Sequence, residues 1–181
     1  MINKQILLDR LKAGQGTFNL TLEEHSPIEG YVLKNRPSLT YLELHYPDGK
    51  IMMDSPDYIT TYSKELLDVE YNSILIAGLG LGVQAYVSQD FAQVDVLEID
   101  QNIIDINNQL GYLNENVTII KDDVFTFSTE KTYDVIVLDI WWKAPSEDII
   151  NTLTDKYLPH INPGGFLYIP LSELKIEKKQ D

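Results

Sequence analysis

The 181-residue chain has no cysteine, which excludes disulfides, thiolate metal sites and a cysteine nucleophile, and points to the cytoplasm. Positive charge is scarce. Fourteen Lys and Arg against 28 Asp and Glu give a formal net charge of −14. That balance argues against a nucleic-acid partner and favours cationic or neutral ones. No run approaches the ~18 apolar residues that a membrane helix needs. The N-terminus carries Lys4, Asp9, Arg10 and Lys12 and lacks the apolar stretch of a signal peptide. The three histidines, His25, His45 and His160, stand far apart without ligand spacing, so no metal site is expected.

What the chain does have is core material: 44% of residues are hydrophobic and 10% aromatic, at a length suited to one domain with a small appendage. Ile2, Ile6, Leu7 and Leu11 predict an amphipathic helix over 2–13. Short Thr-, Tyr- and Val-rich segments at 17–23, 29–34, 39–46 and 50–53 follow. With the Pro47-Asp48-Gly49 turn they predict a small antiparallel β unit. The reading divides the chain into residues 1–54, a helix and β unit, and 55–181, a larger α/β domain that opens with a helix over 56–68. In the larger part, apolar strands at 73–78, 94–100, 117–121, 133–139 and 165–170 alternate with helices near 82–89, 101–109 and 146–158. That alternation predicts βαβ crossovers and a doubly wound, mostly parallel sheet. The tail 175–181, rich in Lys and Glu, reads as a solvated end.

The strongest chemical signal is Ala77-Gly78-Leu79-Gly80-Leu81-Gly82, directly after a buried strand. Glycines there let the backbone turn sharply and approach a ligand at the start of a helix. The spacing is G-x-G-x-G rather than the G-x-G-x-x-G of nicotinamide-binding turns. Twenty residues on, Leu97-Glu98-Ile99-Asp100 brings a carboxylate able to accept hydrogen bonds from both ribose hydroxyls. Asp122-Asp123-Val124 and Asp139-Ile140-Trp141-Trp142 close the next two strands. Ligands of open α/β sheets bind outside the strands' carboxyl ends, so Gly78–Gly82, Glu98, Asp123 and Asp139 are expected to converge there. Neighbouring side chains leave a strand on opposite faces, so one of Asp122 and Asp123 faces the ligand.

AGLGLG, LEID, IIKDDVF, YDVIVLDIW and INPGGFLYI resemble, in order, the motifs of class I S-adenosylmethionine-dependent methyltransferases, in particular small members of the spermidine-synthase-like branch. The resemblance covers about residues 45–171. It implies a Rossmann-like sheet of order 3-2-1-4-5 and S-adenosylmethionine, or its decarboxylated form, as cofactor. It also implies that Gly78, Leu79, Gly80 and Gly82 hold the methionine and ribose part and that Glu98 and Ile99 hold the ribose. Asp123 and Val124 would then contact the adenine, and Asp139 would face the sulfonium and the acceptor.

Several features depart from an aminopropyltransferase. The glycine loop contains no carboxylate, Trp142 stands where a second Asp is usual, and the Tyr-His-Glu gate is absent, with Thr61-Tyr62-Ser63 nearby. Polyamine acceptors need several carboxylates, so methyl transfer to a small-molecule acceptor is favoured over aminopropyl transfer, a non-catalytic binding module or a nicotinamide-dependent oxidoreductase. Asp139 is read as the base or as a residue orienting the acceptor. Trp141 is read as an aromatic wall to the sulfonium or as packing, and the same choice holds for Trp142. Asp54, Asp57 and Tyr58 line the acceptor pocket in this reading, with helix capping as the alternative for the two aspartates. Only residues 171–181 follow the fifth strand, so the sheet reads as C-terminally truncated. Its bare edge points to a homo-oligomer.

Overall fold

The computed structural model describes residues 24–25, 29–30, 32–36, 41–54, 66, 70–111, 113–141, 143–170 and 174–178. The helix expected over 2–13 and the strand over 17–23 lie outside these residues. So does the helix over 56–68, apart from Leu66, which is buried in the core. Asp57, Tyr58 and Trp142 also lie outside them.

The first sheet is antiparallel, with strands β1 (Glu24–His25), β2 (Val32–Arg36), β3 (Tyr41–His45) and β4 (Ile51–Asp54) in sequential order. Tyr46 and Lys50 close the β3–β4 hairpin through a 2.8 Å backbone bond, and Gly49 supplies the positive φ of the turn. Leu44 and Met52 are cross-strand partners. Both pack into the main core, which fixes the buried face of this sheet. The observed strands start one to three residues later than the apolar pattern suggested, because pairing register rather than composition sets their ends.

The second sheet has six strands in the order β10-β9-β8-β5-β6-β7. They are β5 (Ser73–Ala77), β6 (Gln93–Glu98), β7 (Val117–Lys121), β8 (Tyr133–Leu138), β9 (Ile161–Ile169) and β10 (Leu174–Glu177). The first five of these are parallel, in the expected 3-2-1-4-5 order. Helices α1 (Val83–Ser88), α2 (Gln101–Leu110) and α3 (Glu147–Tyr157) make the crossovers. Alternate residues of the central strands feed two cores. Ile74, Ile76, Val94, Val96, Val135 and Val137 meet α1 and α2 on one face. Leu75, Ala77, Leu97, Ile136 and Leu138 meet Leu153 and Tyr157 of α3 on the other. Burial on both faces explains why these strands are apolar on consecutive residues.

Two details at the C-terminal side correct the sequence reading. β9 begins at Ile161 rather than Gly165, and a register shift between Tyr133 and Val135 absorbs the Asn162–Gly165 segment. The tail is not simply a solvated end: Leu174–Glu177 pair antiparallel with Phe166–Ile169 and cover the edge of β9. The edge that was expected to be bare is therefore β10, a four-residue strand.

Asp134 ties the amino ends of the strands together. Its carboxylate accepts from the backbone N–H groups of Asn72 (2.8 Å) and Ser73 (3.1 Å) and from Asn162 Nδ2 (2.8 Å). Burial pushes its pKa up, but the hydrogen bonds from Asn162, Asn72 and Ser73 outweigh this and hold it below the usual 3.8. A carboxylate lowered in this way stabilises the fold above its unfolded pKa, and the contribution is lost as pH falls through the folded value. Asp134→Ala is expected to cost about 1.5–3 kcal/mol at pH 7, the scale of charged hydrogen bonds left unmade. In urea titrations the gap should close below pH 4, and an equal loss at pH 3 and pH 7 would refute the assignment.

Candidate functional site

The carboxyl ends of β5, β6, β7 and β8 lie side by side and carry the loop and the carboxylates picked out in the sequence. Gly78, Gly80 and Gly82 all have positive φ, at 97°, 56° and 75°. Gly78 N donates to Leu97 O and Gly82 N to Leu79 O, each at 2.8 Å, so the loop is a fixed turn. A Cβ at Gly78 would run into the backbone carbonyl of Asp139.

Glu98 sits against this turn. Its Oε2 accepts from Leu79 N at 3.0 Å and its Oε1 from Asp100 N at 2.8 Å. The carboxylate thus joins the glycine loop to the start of α2 while, among the described residues, each oxygen keeps a free lone pair. Asp100, two residues on, serves the helix instead, since its Oδ1 accepts from Asn102 N at 2.9 Å and caps α2. Of the two acids in Leu97-Glu98-Ile99-Asp100, Glu98 is therefore the one turned to the loop. Ile99 stands 64% exposed at this edge, an apolar side chain with nothing of the described protein to cover it.

After β7, Asp123 closes a tight turn: its Oδ1 accepts from Phe125 N (2.9 Å), and its backbone oxygen accepts from Thr126 N and Phe127 N. Asp122 Oδ1 accepts from Asp123 N at 2.7 Å. Val124 is buried, whereas Phe125 projects outward, 45% exposed.

Asp139 follows β8. Its N–H donates to Ala77 O at 2.9 Å, and its carbonyl is the atom that faces Gly78. Among the described residues no group donates a hydrogen bond to its carboxylate, and burial raises its pKa from 3.8 to about 6. Trp141 donates its indole N–H to Leu138 O (2.8 Å) and packs, partly buried, against the core on the α3 side. Asp54 ends β4, where its backbone pairs with Leu42.

Two residues of this region escaped the sequence reading. Asn107 of α2, buried, donates Nδ2 to Gly80 O (2.8 Å) and to Ile103 O (2.9 Å), giving the glycine loop a second side-chain hold beside that of Glu98. Tyr157 of α3, also buried, donates its hydroxyl to Val124 O at 2.7 Å. Both contacts join distant parts of the chain, and neither residue belongs to a local motif; only an Asn on the buried stripe of a helix hints at the first. No group of three or more His, Cys, Asp or Glu among the described residues is arranged to hold a metal ion. No described helix is long and apolar enough to cross a membrane.

No protein-family profile and no curated protein matches the sequence. Solved structures do match. The N-methyltransferase NodS from Bradyrhizobium japonicum WM9 aligns with a TM-score of 0.53 at 17% identity, over 62% of this chain and 65% of that one. NodS in complex with S-adenosyl-L-homocysteine aligns at 0.50 and 16%, over 62% and 57%. The glycopeptide N-methyltransferase MtfA, complexed with the same molecule, aligns at 0.51 and 16%, over 61% and 51%. This chain has the Rossmann-like methyltransferase fold. In each case the match spans less than two thirds of the other protein. Within the methyltransferase fold, the glycine turn after β5 and the acids after β6, β7 and β8 occupy the edge where open α/β sheets bind ligands.

Proposed function

We propose that the protein binds S-adenosylmethionine and transfers its methyl group to a small-molecule acceptor. The observation that carries this reading is the joining of Gly78, Leu79, Glu98 and Asp139 at one sheet edge, in a fold shared with structures that hold S-adenosyl-L-homocysteine. The residues suit such a ligand. Gly78, Gly80 and Gly82 keep the loop free of side chains where the methionine part would lie, Glu98 has lone pairs for ribose hydroxyls, and Ile99 and Phe125 offer apolar surface for a base. Asp123 and Val124 would border that base. The finer likeness to the spermidine-synthase-like branch rests on the sequence motifs alone. We extend the proposal to a site shared between residues 1–54 and 55–181, with Asp54, Asp57, Tyr58 and Trp142 toward the acceptor, and to a homo-oligomer working in the cytoplasm.

The bound cofactor would supply a methyl carbon already activated by its sulfonium, so the protein has little acid chemistry to do. Its work is to hold nucleophile, carbon and sulfur in line and to keep water out. Glu98 and Asn107 both bond the loop that would carry one end of that line. Asp139, whose N–H donates to Ala77 O and whose carbonyl faces Gly78, would stand at the other. Its carboxylate, short of donors among the described residues and raised toward pH 6, suits taking a proton from an amine or hydroxyl as the nucleophile attacks.

Calorimetric titration with S-adenosylmethionine, its decarboxylated form, methylthioadenosine and NAD is the direct test. Preference for intact S-adenosylmethionine is expected; preference for the decarboxylated form would turn the reading to aminopropyl transfer, and no binding would end it. Glu98→Ala is expected to weaken cofactor binding by about 1–3 kcal/mol, since ribose hydroxyls and Leu79 N both lose a charged acceptor. Unchanged affinity in that variant would remove Glu98 from the site.

A further inference from the structure

Tyr157 is a buried hydroxyl with no part in the chemistry above. It sits in the last turn of α3, on the opposite side of the sheet from α1 and α2, and its partner is a backbone carbonyl 33 residues away. That carbonyl, Val124 O, lies in the turn formed by Asp123, Val124, Phe125 and Thr126. The turn has two faces with different fates. Val124 and Phe127 go into the core with Tyr157, while Phe125, whose N–H bonds the Asp123 carboxylate, is exposed. Asp123 Oδ1 is already committed to Phe125 N, which leaves Oδ2 and the outward backbone as the groups able to read a ligand edge.

We infer that Tyr157 is a positioning residue for base recognition: by holding Val124 O it sets the angle at which the Asp123–Phe125 turn meets the base of a bound nucleoside. The inference rests on the proposed cofactor site and adds a residue to it from a separate element. The charges of Asp122 and Asp123 reach the phenol and, after burial, help to keep it in its protonated, donating form. The hydroxyl therefore remains a donor throughout the neutral range, and the carbonyl it holds would otherwise be a buried acceptor without a partner. A displacement of a few tenths of an ångström at the turn would misalign a donor–acceptor pattern that separates adenine from hypoxanthine and would leave a sugar contact at Glu98 untouched.

The test compares S-adenosylhomocysteine with its inosine counterpart on the wild type and on Tyr157→Phe, which retains the ring. In the wild type the adenine ligand should bind at least tenfold more tightly. In Tyr157→Phe that ratio should fall several-fold, through weaker binding of the adenine ligand alone. A ratio unchanged in a folded Tyr157→Phe overturns the positioning role and leaves the cofactor site standing; a wild type that binds neither ligand overturns both. If Tyr157→Phe does not fold, amide hydrogen exchange of the wild type takes its place. S-adenosylhomocysteine should slow exchange both in residues 124–127 and in the last turn of α3, and slowing confined to one of them would overturn the inference.

Discussion

Asp139→Asn is expected to give a more stable protein that has lost most of the proposed methyltransferase activity. In the native chain burial raises the carboxyl from 3.8 to about 6, so between those values the folded state holds more protons than the unfolded one. Stability therefore falls as pH rises through this window, and the cost is fully present above pH 6. The gap corresponds to at most about 3 kcal/mol, since water still reaches part of the group. The amide carries no charge to desolvate. Its gain should be largest at pH 7–8 and should vanish near pH 4, which urea titrations at the two pH values will measure. Activity should move the other way: loss of a positioned base typically costs 10²–10⁴-fold. With the native residue, kcat/KM should rise through about pH 6 to a plateau, and the variant should lose that limb. A variant as active as the native protein would leave Asp139 with no role beyond its backbone contacts.

Gly78→Ala should be the most damaging single change at the site. The residue has φ 97°, where side chains are disfavoured, and the added Cβ would meet the Asp139 carbonyl, which is backbone and has no rotamer to yield. Ends of β5 and β8 would have to part. We expect a loss of about 3–4 kcal/mol, the range of severe single substitutions, together with cofactor binding too weak for calorimetry. Gly49→Ala is the control. Its φ is 84° with nothing within 4 Å of the added Cβ, so it should cost only about 1 kcal/mol, the strain of the left-handed backbone alone. Equal losses in the two variants would mean that the approach of Gly78 to Asp139 does not hold the site together.

The parts of this fold that could be read from the sequence are those in which neighbouring residues share one environment. Ile74-Leu75-Ile76 and Val135-Ile136-Val137-Leu138 are apolar throughout because both faces of the sheet are covered, and that shows without any partner in view. β10 did not show, because Leu174-Lys175-Ile176-Glu177 alternates over only four residues and looks like a charged tail until Phe166–Ile169 lie beside it. The start of β9 was hidden by Pro163, Gly164 and Gly165, which suggest a turn but here form an irregularity within a strand. At the candidate site the acids were legible by position, at strand ends, whereas their division of labour was not. Strand position and resemblance single out Glu98 in Leu97-Glu98-Ile99-Asp100, but its bond to Leu79 N and the capping of α2 by Asp100 depend on the backbone path. Asn107 and Tyr157 lie further out of reach, since their importance is a contact across the fold and their residue types are ordinary in helices.

The antiparallel course of β10 has a practical consequence for work with this protein. The strand starts opposite Ile169, at the ligand edge, and runs back until Lys178 bonds with Gly164 and Gly165, at the far end of the sheet. A fluorophore or surface tether carried on Glu177→Cys, at an exposed position and the single thiol of the sequence, would sit toward the end of the sheet away from the glycine turn. The protein can be immobilised at that position for ligand screening with its proposed binding edge turned to the solution.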